Sequence, residues 1–318
     1  MREEKRKGVA KKQKYLKRSD MSWKTIIISN PCRLSSRDNN LILHRKDQED
    51  VRIPINDLAS LVIETAQCTL TSSLLAKLSS ESVAVYVCDE THTPNGLLMP
   101  FGTHSRHSKT VRHQVAWSEP FKKRIWQFII KAKIYNQAKV LELIGADESA
   151  NQLRAIASAV TSGDVGNREA QAACIYWRGL FENFVRGGQC KRNSALNYGY
   201  AIVRGAVARS ISASGFIPAL GIFHDNQLNA FNLADDIIEP FRPFVDMLVW
   251  DLFRDEKEPD MLTKDDKTEM VSLLYSWCFI GGRNETLINA CEIVSSSLMS
   301  CSFAKEAKGL LLPSWSEK

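Results

Sequence analysis

Residues 221–243, GIFHDNQLNAFNLADDIIEPFRP, bring one imidazole and several carboxylates into a short span: His224, Asp236 and Glu239. Upstream, residues 167–181, NREAQAACIYWRGLF, open a helical pattern with Glu169. One imidazole with two or three carboxylates is a ligand set for a hard divalent cation that keeps open positions. Such a cation can grip substrate oxygens as well as protein, which suits phosphodiester chemistry. The set is too poor in Cys and His for a structural zinc site, and it lacks the paired Glu-x-x-His motifs of di-iron bundles. Mg2+ or Mn2+ is the expected ion, with the imidazole favouring Mn2+. His104-x-x-His107 is the other metal-like spacing, in a Ser/Thr-rich stretch without carboxylates.

Each residue also has a plain structural reading. Glu169 sits four residues before Ala173, which leads the stripe Trp177, Leu180 and Phe184. On an inward stripe it needs a partner, whereas turned outward it only complements the helix dipole. His224 follows an apolar run and serves equally as a core or cap residue. Asp236 and Glu239 share a face if helical, and acidic pairs on helices are common. His224 and Glu239 are fifteen residues apart, or ~22 Å on one straight helix. They can meet only if the chain bends. DNQLN offers the break, Asn232 with Asp235 makes an N-cap, and Pro240 disfavours helical geometry at Glu239.

The elements that must position these residues fall into two parts. Residues 1–20 form a basic arm, with Met21 as an alternative start. From 21 to 100 the pattern is β-rich: TIIIS, LILH, VRIPI, LASLVIE and VAVYVCD, with one helix near 71–79 and a turn at Pro94-Asn95-Gly96. From 101 to 318 the period is helical, with helices expected over 107–116, 119–145, 148–161, 168–187, 191–214, 232–252, 264–281 and 284–308. Gly187-Gly188 and Gly281-Gly282 read as helix-ending turns, and residues 254–260 as a charged loop. The expected class is α+β, a small N-terminal β-rich domain followed by a larger all-α catalytic domain.

Composition narrows the function. The 318 residues are 44% hydrophobic and 25% charged, which is ordinary for a globular chain. No run of about eighteen apolar residues suggests a membrane span, and the basic start lacks a secretory apolar region. Eight scattered cysteines without a CxxC pair read as reduced thiols in a cytoplasmic protein. The net charge of +6 resides entirely in the first twenty residues. One further basic segment, 104–139, holds nine Lys or Arg against the single acid Glu119, interleaved with Trp117, Phe121, Trp126, Phe128 and Tyr135. It reads either as a backbone-phosphate surface or as a solvated helix face over a core stripe. Lys122, Lys123 and Arg124 are its candidate DNA contacts.

With these residues in hand, the chain resembles the CRISPR-associated adaptation integrase family, in its type II subtype. NREAQAACIYWRGLF, NSALNYGYAIVRGAVARSISASG and GIFHDNQLNAFNLADDIIEPFRP carry the resemblance, supported by MSWKTIIIS and PNGLLMPFG. The resemblance implies that Glu169, His224 and Glu239 are the metal ligands and that Asp236 is a further acidic residue at the site. It implies that Arg242 lies near substrate phosphates and that Tyr198 packs or contacts DNA beside the site. It implies insertion of short foreign DNA fragments into a CRISPR array by 3′-hydroxyl attack on a phosphodiester. The implied partners are DNA, a second copy of the chain, a small ferredoxin-fold protein bridging two dimers, and the type II effector nuclease. A stand-alone metal-dependent nuclease and a non-catalytic DNA-binding scaffold are the rival readings.

Overall fold

The computed structural model describes residues 24–81, 83–90, 94–98, 105–182, 184–254 and 261–315. The basic arm, His104 and residues 255–260 of the charged loop lie outside the described residues. The first part comprises β1 (Lys24–Ile28), β2 (Cys32–Arg37), β3 (Asn40–His44), β4 (Val51–Pro54), β5 (Leu58–Ile63), β6 (Cys68–Leu70), helix α1 (Ser72–Ser80), β7 (Ala84–Cys88) and β8 (Pro94–Leu98). Two four-stranded sheets result, ordered β1-β5-β7-β8 and β4-β3-β2-β6. Strands β1, β5 and β7 are mutually parallel. Strands β2, β6 and β8 go beyond the expected set. β2 is half polar, and Pro94 opens β8 in place of the expected free turn, as proline can at the first residue of a strand.

Alternation in β7 explains how the two parts join. Val85 faces the core between the sheets, with Ile28, Leu34, Leu61 and Leu74. Ala84 and Tyr86 point the other way, into the helical core, because successive strand side chains alternate. The Tyr86 hydroxyl donates to the Ile202 carbonyl at 2.9 Å. Its ring lies so close to Gly205 that an added Cβ would sit 2.1 Å from it. Only glycine permits this approach of sheet to helix.

The helical part contains α2 (His107–Val115), α3 (Glu119–Leu143), α4 (Asp147–Ser158), α5 (Arg168–Leu180), α6 (Lys191–Ala213), α7 (Asn232–Ile237), α8 (Arg242–Phe253), α9 (Lys264–Ser272), the strands β9 (Trp277–Ile280) and β10 (Arg283–Thr286), and α10 (Leu287–Ala304). The helix expected over 264–281 does not run its length: α9 ends at Ser272. Instead, Gly281 and Gly282 take φ of 59° and 84° and join β9 to β10 in an antiparallel hairpin. Two consecutive left-handed residues favour a tight strand-to-strand turn over a helix end. The helix expected over 168–187 stops at Leu180, and the one over 232–252 is broken around Glu239. Helix α10 is long and apolar enough to cross a membrane by length and composition, yet 56% of it is buried inside the fold. That burial is what a core helix shows.

Candidate active site

Glu169 stands in the first turn of α5 because Asp164 caps that helix. The Asp164 carboxylate accepts from the Arg168 amide at 2.9 Å and from the Glu169 amide at 3.0 Å. Asn167, the residue before the helix, makes no side-chain cap; it takes a left-handed φ of 47° and turns the chain. The buried face of α5 is Ala172, Tyr176 and Leu180. Glu169, three residues before Ala172, extends this stripe.

Glu239 sits between α7 and α8, in the short 3-10 turn Glu239–Phe241. Asn136, buried in α3, pins that turn by donating to the Pro240 carbonyl at 2.8 Å. The Glu239 side chain is 6% exposed and touches two cations. Its Oε1 accepts from Arg242 Nε at 2.8 Å. Its Oε2 lies 2.5 Å from Lys133 Nζ but receives no well-directed hydrogen bond. The same Lys133 Nζ lies 2.5 Å from Glu169 Oε1. Three elements, α3, α5 and the turn before α8, therefore converge on one ammonium. Burial alone would push the Glu239 carboxyl up, but Lys133 and Arg242 outweigh it and hold it at about 2. Burial pulls the Lys133 ammonium down, and the two carboxylates more than offset it, so its pKa lies above the usual lysine value.

His224 is held by Asp236, a fully buried carboxylate of α7. Asp236 accepts from the backbone amides of Ile222, Phe223 (3.1 Å) and His224 (3.0 Å). It also meets His224 Nδ1 at 2.8 Å. An ionised carboxylate only accepts, so Nδ1 carries the proton and Nε2 is left free. Gly221 makes this loop possible: an added Cβ would lie 2.2 Å from the His224 carbonyl. Phe223 stacks on Trp126 of α3 at 4.3 Å, and the His224 ring meets the same indole edge-on. The Asp236 hydrogen bond raises the His224 pKa above its ordinary value against the opposing effect of burial, aided by the charges of Asp236, Glu239 and Asp235.

The structure thus joins Glu169 and Glu239 through Lys133 and places His224 within the electrostatic reach of Glu239. Among the described residues, no three or more His, Cys, Asp or Glu side chains are grouped closely enough to hold a metal ion as they stand. Arg242 packs over the Tyr200 ring at 4.6 Å while it pairs with Glu239. Tyr200 and Tyr176 both donate to Asp246, which burial raises to about 6 despite these bonds. Tyr198 requires correction as a DNA contact. It is 1% exposed, and its hydroxyl reaches Glu64 of the sheet at 3.3 Å, so it packs in the seam between the two parts. Lys122 pairs with Glu119 at 2.5 Å, and Lys123 and Arg124 are exposed. A cavity of about 570 Å³ opens beside them, lined by Lys122, Lys123, Trp126, Phe223 and His224.

Sequence reasoning does not single out Lys133 or Asp164. Lys133 is there only one of nine basic residues, although a lysine between Ile130 and Ile134 on a buried helix face is itself a signal. Asp164 lies five residues before Glu169, in a turn whose left-handed residues leave no periodic pattern.

A model of the CRISPR associated protein Cas1 family matches residues 25–273. The CRISPR-associated endonuclease Cas1 of Neisseria meningitidis serogroup C is 39% identical over 294 residues, covering 92% of this chain and 96% of that protein. A CRISPR-associated endonuclease Cas1 of Saccharolobus solfataricus is 25% identical over 246 residues, covering 72% of this chain and 75% of its own length. Among solved structures, a CAS1 protein from Thermotoga maritima aligns with a TM-score of 0.70 at 17% identity, over 93% of this chain and 100% of that one. A casposase bound to integration product aligns with a TM-score of 0.73 at 18% identity, over 90% of this chain and 92% of that one. These structures share the order of a strand-rich region followed by a helical one. With a family match over 25–273 and a relative at 39% identity across nearly its full length, this chain belongs to the CRISPR-associated protein Cas1 family.

Proposed function

We propose that the protein is a metal-dependent DNA integrase and endonuclease that inserts short DNA fragments into a CRISPR array. The observation that carries this reading is the meeting of Glu169 and Glu239 on one cationic atom, each at 2.5 Å. Two carboxylate oxygens already meet at a cation position, and the imidazole that Asp236 orients through Nδ1 lies within the electrostatic reach of Glu239. Carboxylates with a histidine fixed through its other nitrogen fit Mg2+ or Mn2+. Glu169, His224 and Glu239 would hold the ion, which when bound supplies charge stabilisation at a phosphoryl group in in-line displacement.

The chain's own groups do the remaining work. Asp236 fixes the His224 tautomer and ring. Arg242 holds one oxygen of Glu239 and directs the other to the cation position. The nucleophile is the 3′-hydroxyl of the incoming DNA, so no covalent protein intermediate is required. Tyr198 cannot serve as a recombinase nucleophile, since burial raises its pKa far above the usual tyrosine value and its hydroxyl is committed to Glu64. DNA would approach over Lys122, Lys123 and Arg124 beside the His224 cavity.

The Neisseria relative is named an endonuclease, which favours strand cleavage. The casposase neighbour is bound to an integration product, which favours strand joining. Another neighbour is a Cas6-RT-Cas1–Cas2 complex, of whose longer chain this one spans 37%. We take the type II subtype, the homodimer, the small ferredoxin-fold partner and the type II effector nuclease as the partner set that the sequence resemblance supports. The test is a strand-transfer assay with a labelled 3′-hydroxyl duplex, a CRISPR repeat target and Mn2+, with and without the small partner. Joined products support integration. Shortened products alone favour hydrolysis with water as nucleophile, and the absence of any metal-dependent product refutes both.

A further inference from the structure

Lys133 occupies the place where the cation belongs. Its Nζ lies 2.5 Å from Glu169 Oε1 and 2.5 Å from Glu239 Oε2. A divalent cation held by these oxygens at about 2.1 Å would claim the same volume. The lysine side chain is 11% exposed and the Glu239 side chain 6%, so water screens little of this pairing. Arg242 supplies a second positive charge on Glu239. With both cations in place, the two carboxylates are already neutralised. A further two charges cannot enter without one leaving.

Lys133 is also built into the site. It rises from α3 on the buried face that carries Ile129, Ile130, Ile134 and Gln137. Seven residues earlier, the same helix presents Trp126 to the His224 loop. Arg242 differs, because its Nε meets the opposite oxygen of Glu239 and its guanidinium is committed to the Tyr200 ring. It can keep its contact when Oε2 is taken by another cation. Lys133 cannot.

We infer that Lys133 is a resident counter-cation, which fills the metal position between Glu169 and Glu239 and is expelled when a divalent cation binds. This rests on the proposed metal site. In the metal-free protein the ammonium keeps the Glu169 and Glu239 carboxylates from repelling each other, and it raises the metal concentration needed to load the site. Once expelled, it remains tethered to α3 beside the cation.

The test is Mn2+ binding to the full chain, followed by electron paramagnetic resonance of free Mn2+ and by calorimetry, without DNA. Lys133→Met keeps the side-chain length and removes the charge. It should bind Mn2+ about tenfold tighter or more, since no ion pair must be broken. Its metal-free melting temperature should fall, and Mn2+ should raise it further than in the parent. Lys133→Arg keeps the charge and should not gain this affinity. Lys133→Gln serves if the methionine variant does not fold. Unchanged or weaker Mn2+ binding in both neutral variants overturns the inference and makes Lys133 a brace. Glu169→Gln and His224→Ala separate the two readings. If they weaken Mn2+ binding while the neutral lysine variants do not tighten it, only the counter-cation role falls. If they leave binding unaltered, the metal site falls with it.

Discussion

Asp236→Asn tests how the histidine is held. The Asp236 carboxylate is fully buried and accepts from three backbone amides and from His224 Nδ1. Asparagine keeps one accepting oxygen and places an NH2 group where the other was. Whichever way the amide turns, that NH2 faces two N–H donors. Two bonds to a charged acceptor are lost, each worth about 1.5–3 kcal/mol, so the expected destabilisation is about 3–6 kcal/mol. That is a large part of a typical folding free energy of about 5–15 kcal/mol. His224→Ala, by contrast, removes one of the four bonds and leaves Asp236 its amides, at a cost of about 1.5–3 kcal/mol. Urea unfolding of both variants reads the difference. The Asp236 bond also raises the His224 pKa, so its stabilisation is full below the unfolded histidine value and fades as pH rises through the higher folded one. The deficit of Asp236→Asn should therefore be larger at pH 5.5 than at pH 8, and the ring titration followed by NMR should move down. An Asp236→Asn midpoint within error of the parent, or worse tolerance of His224→Ala than of Asp236→Asn, would refute the four-bond account.

Glu169→Ala and His224→Ala should abolish strand transfer with the fold retained, whereas Glu239→Ala should also cost about 3–5 kcal/mol in a thermal or urea melt, because it leaves Lys133 and Arg242 without their shared carboxylate. Asp246 is raised from 3.8 to about 6, so its contribution is full below pH 3.8 and is lost as pH rises through about 6. Asp246→Asn should lack this loss, and the parent should forfeit about 3 kcal/mol relative to it between pH 4 and pH 7, read by urea midpoints across that range. Reversing Lys122, Lys123 and Arg124 to Glu should weaken DNA binding and flatten its salt dependence by up to about one unit of log-log slope for each phosphate no longer engaged, with Mn2+ affinity unchanged. Sedimentation at micromolar concentration should give a dimer that depends on the strand-rich part, where β4 and β6 end one sheet and β1 and β8 the other, since uncovered edges favour pairing.

Much of the site's placement is legible in the sequence because it depends on local signals. The helical period after Arg168 puts Glu169 in a first turn, although the cap comes from Asp164 and the buried face is Ala172, Tyr176 and Leu180 in place of the stripe led by Ala173. The separation of His224 from Glu239 requires a break, and Pro240 marks where the second one lies. What stays hidden depends on contacts distant in sequence. Asp164 caps α5 from a left-handed turn that carries no period. The β9–β10 hairpin looks helical because WCFI and RNET are too short to declare alternation, and the two glycines suit a helix end as well as a tight turn. Tyr198 sits in a run of aromatic and small residues whose pattern names a helix but not its burial against Glu64 of the sheet.

Lys133 separates a structural reading of the ion cluster from a functional one. A buried cluster of two glutamates, a lysine and an arginine is a poor way to stabilise a core, since apolar residues of the same volume would serve as well or better. Such a cluster has a reason to exist where its charges must be exchanged with something from solution. Three features of the structure meet that condition. Glu239 is held by two cations on opposite oxygens, Arg242 on Oε1 and Lys133 on Oε2. Glu169 keeps 29% of its side chain exposed, so the cluster opens toward solvent on that side. His224, fixed through Nδ1 and within the field of Glu239, leaves its other nitrogen free to bind. A cluster meant only to hold α3, α5 and the α7–α8 turn together would need none of these. The rule that asks a partner for a carboxylate on an inward stripe applies equally to the lysine opposite it. Applied to both, it predicts an ion pair, and the charge of Glu239 in that pair reaches the imidazole of His224.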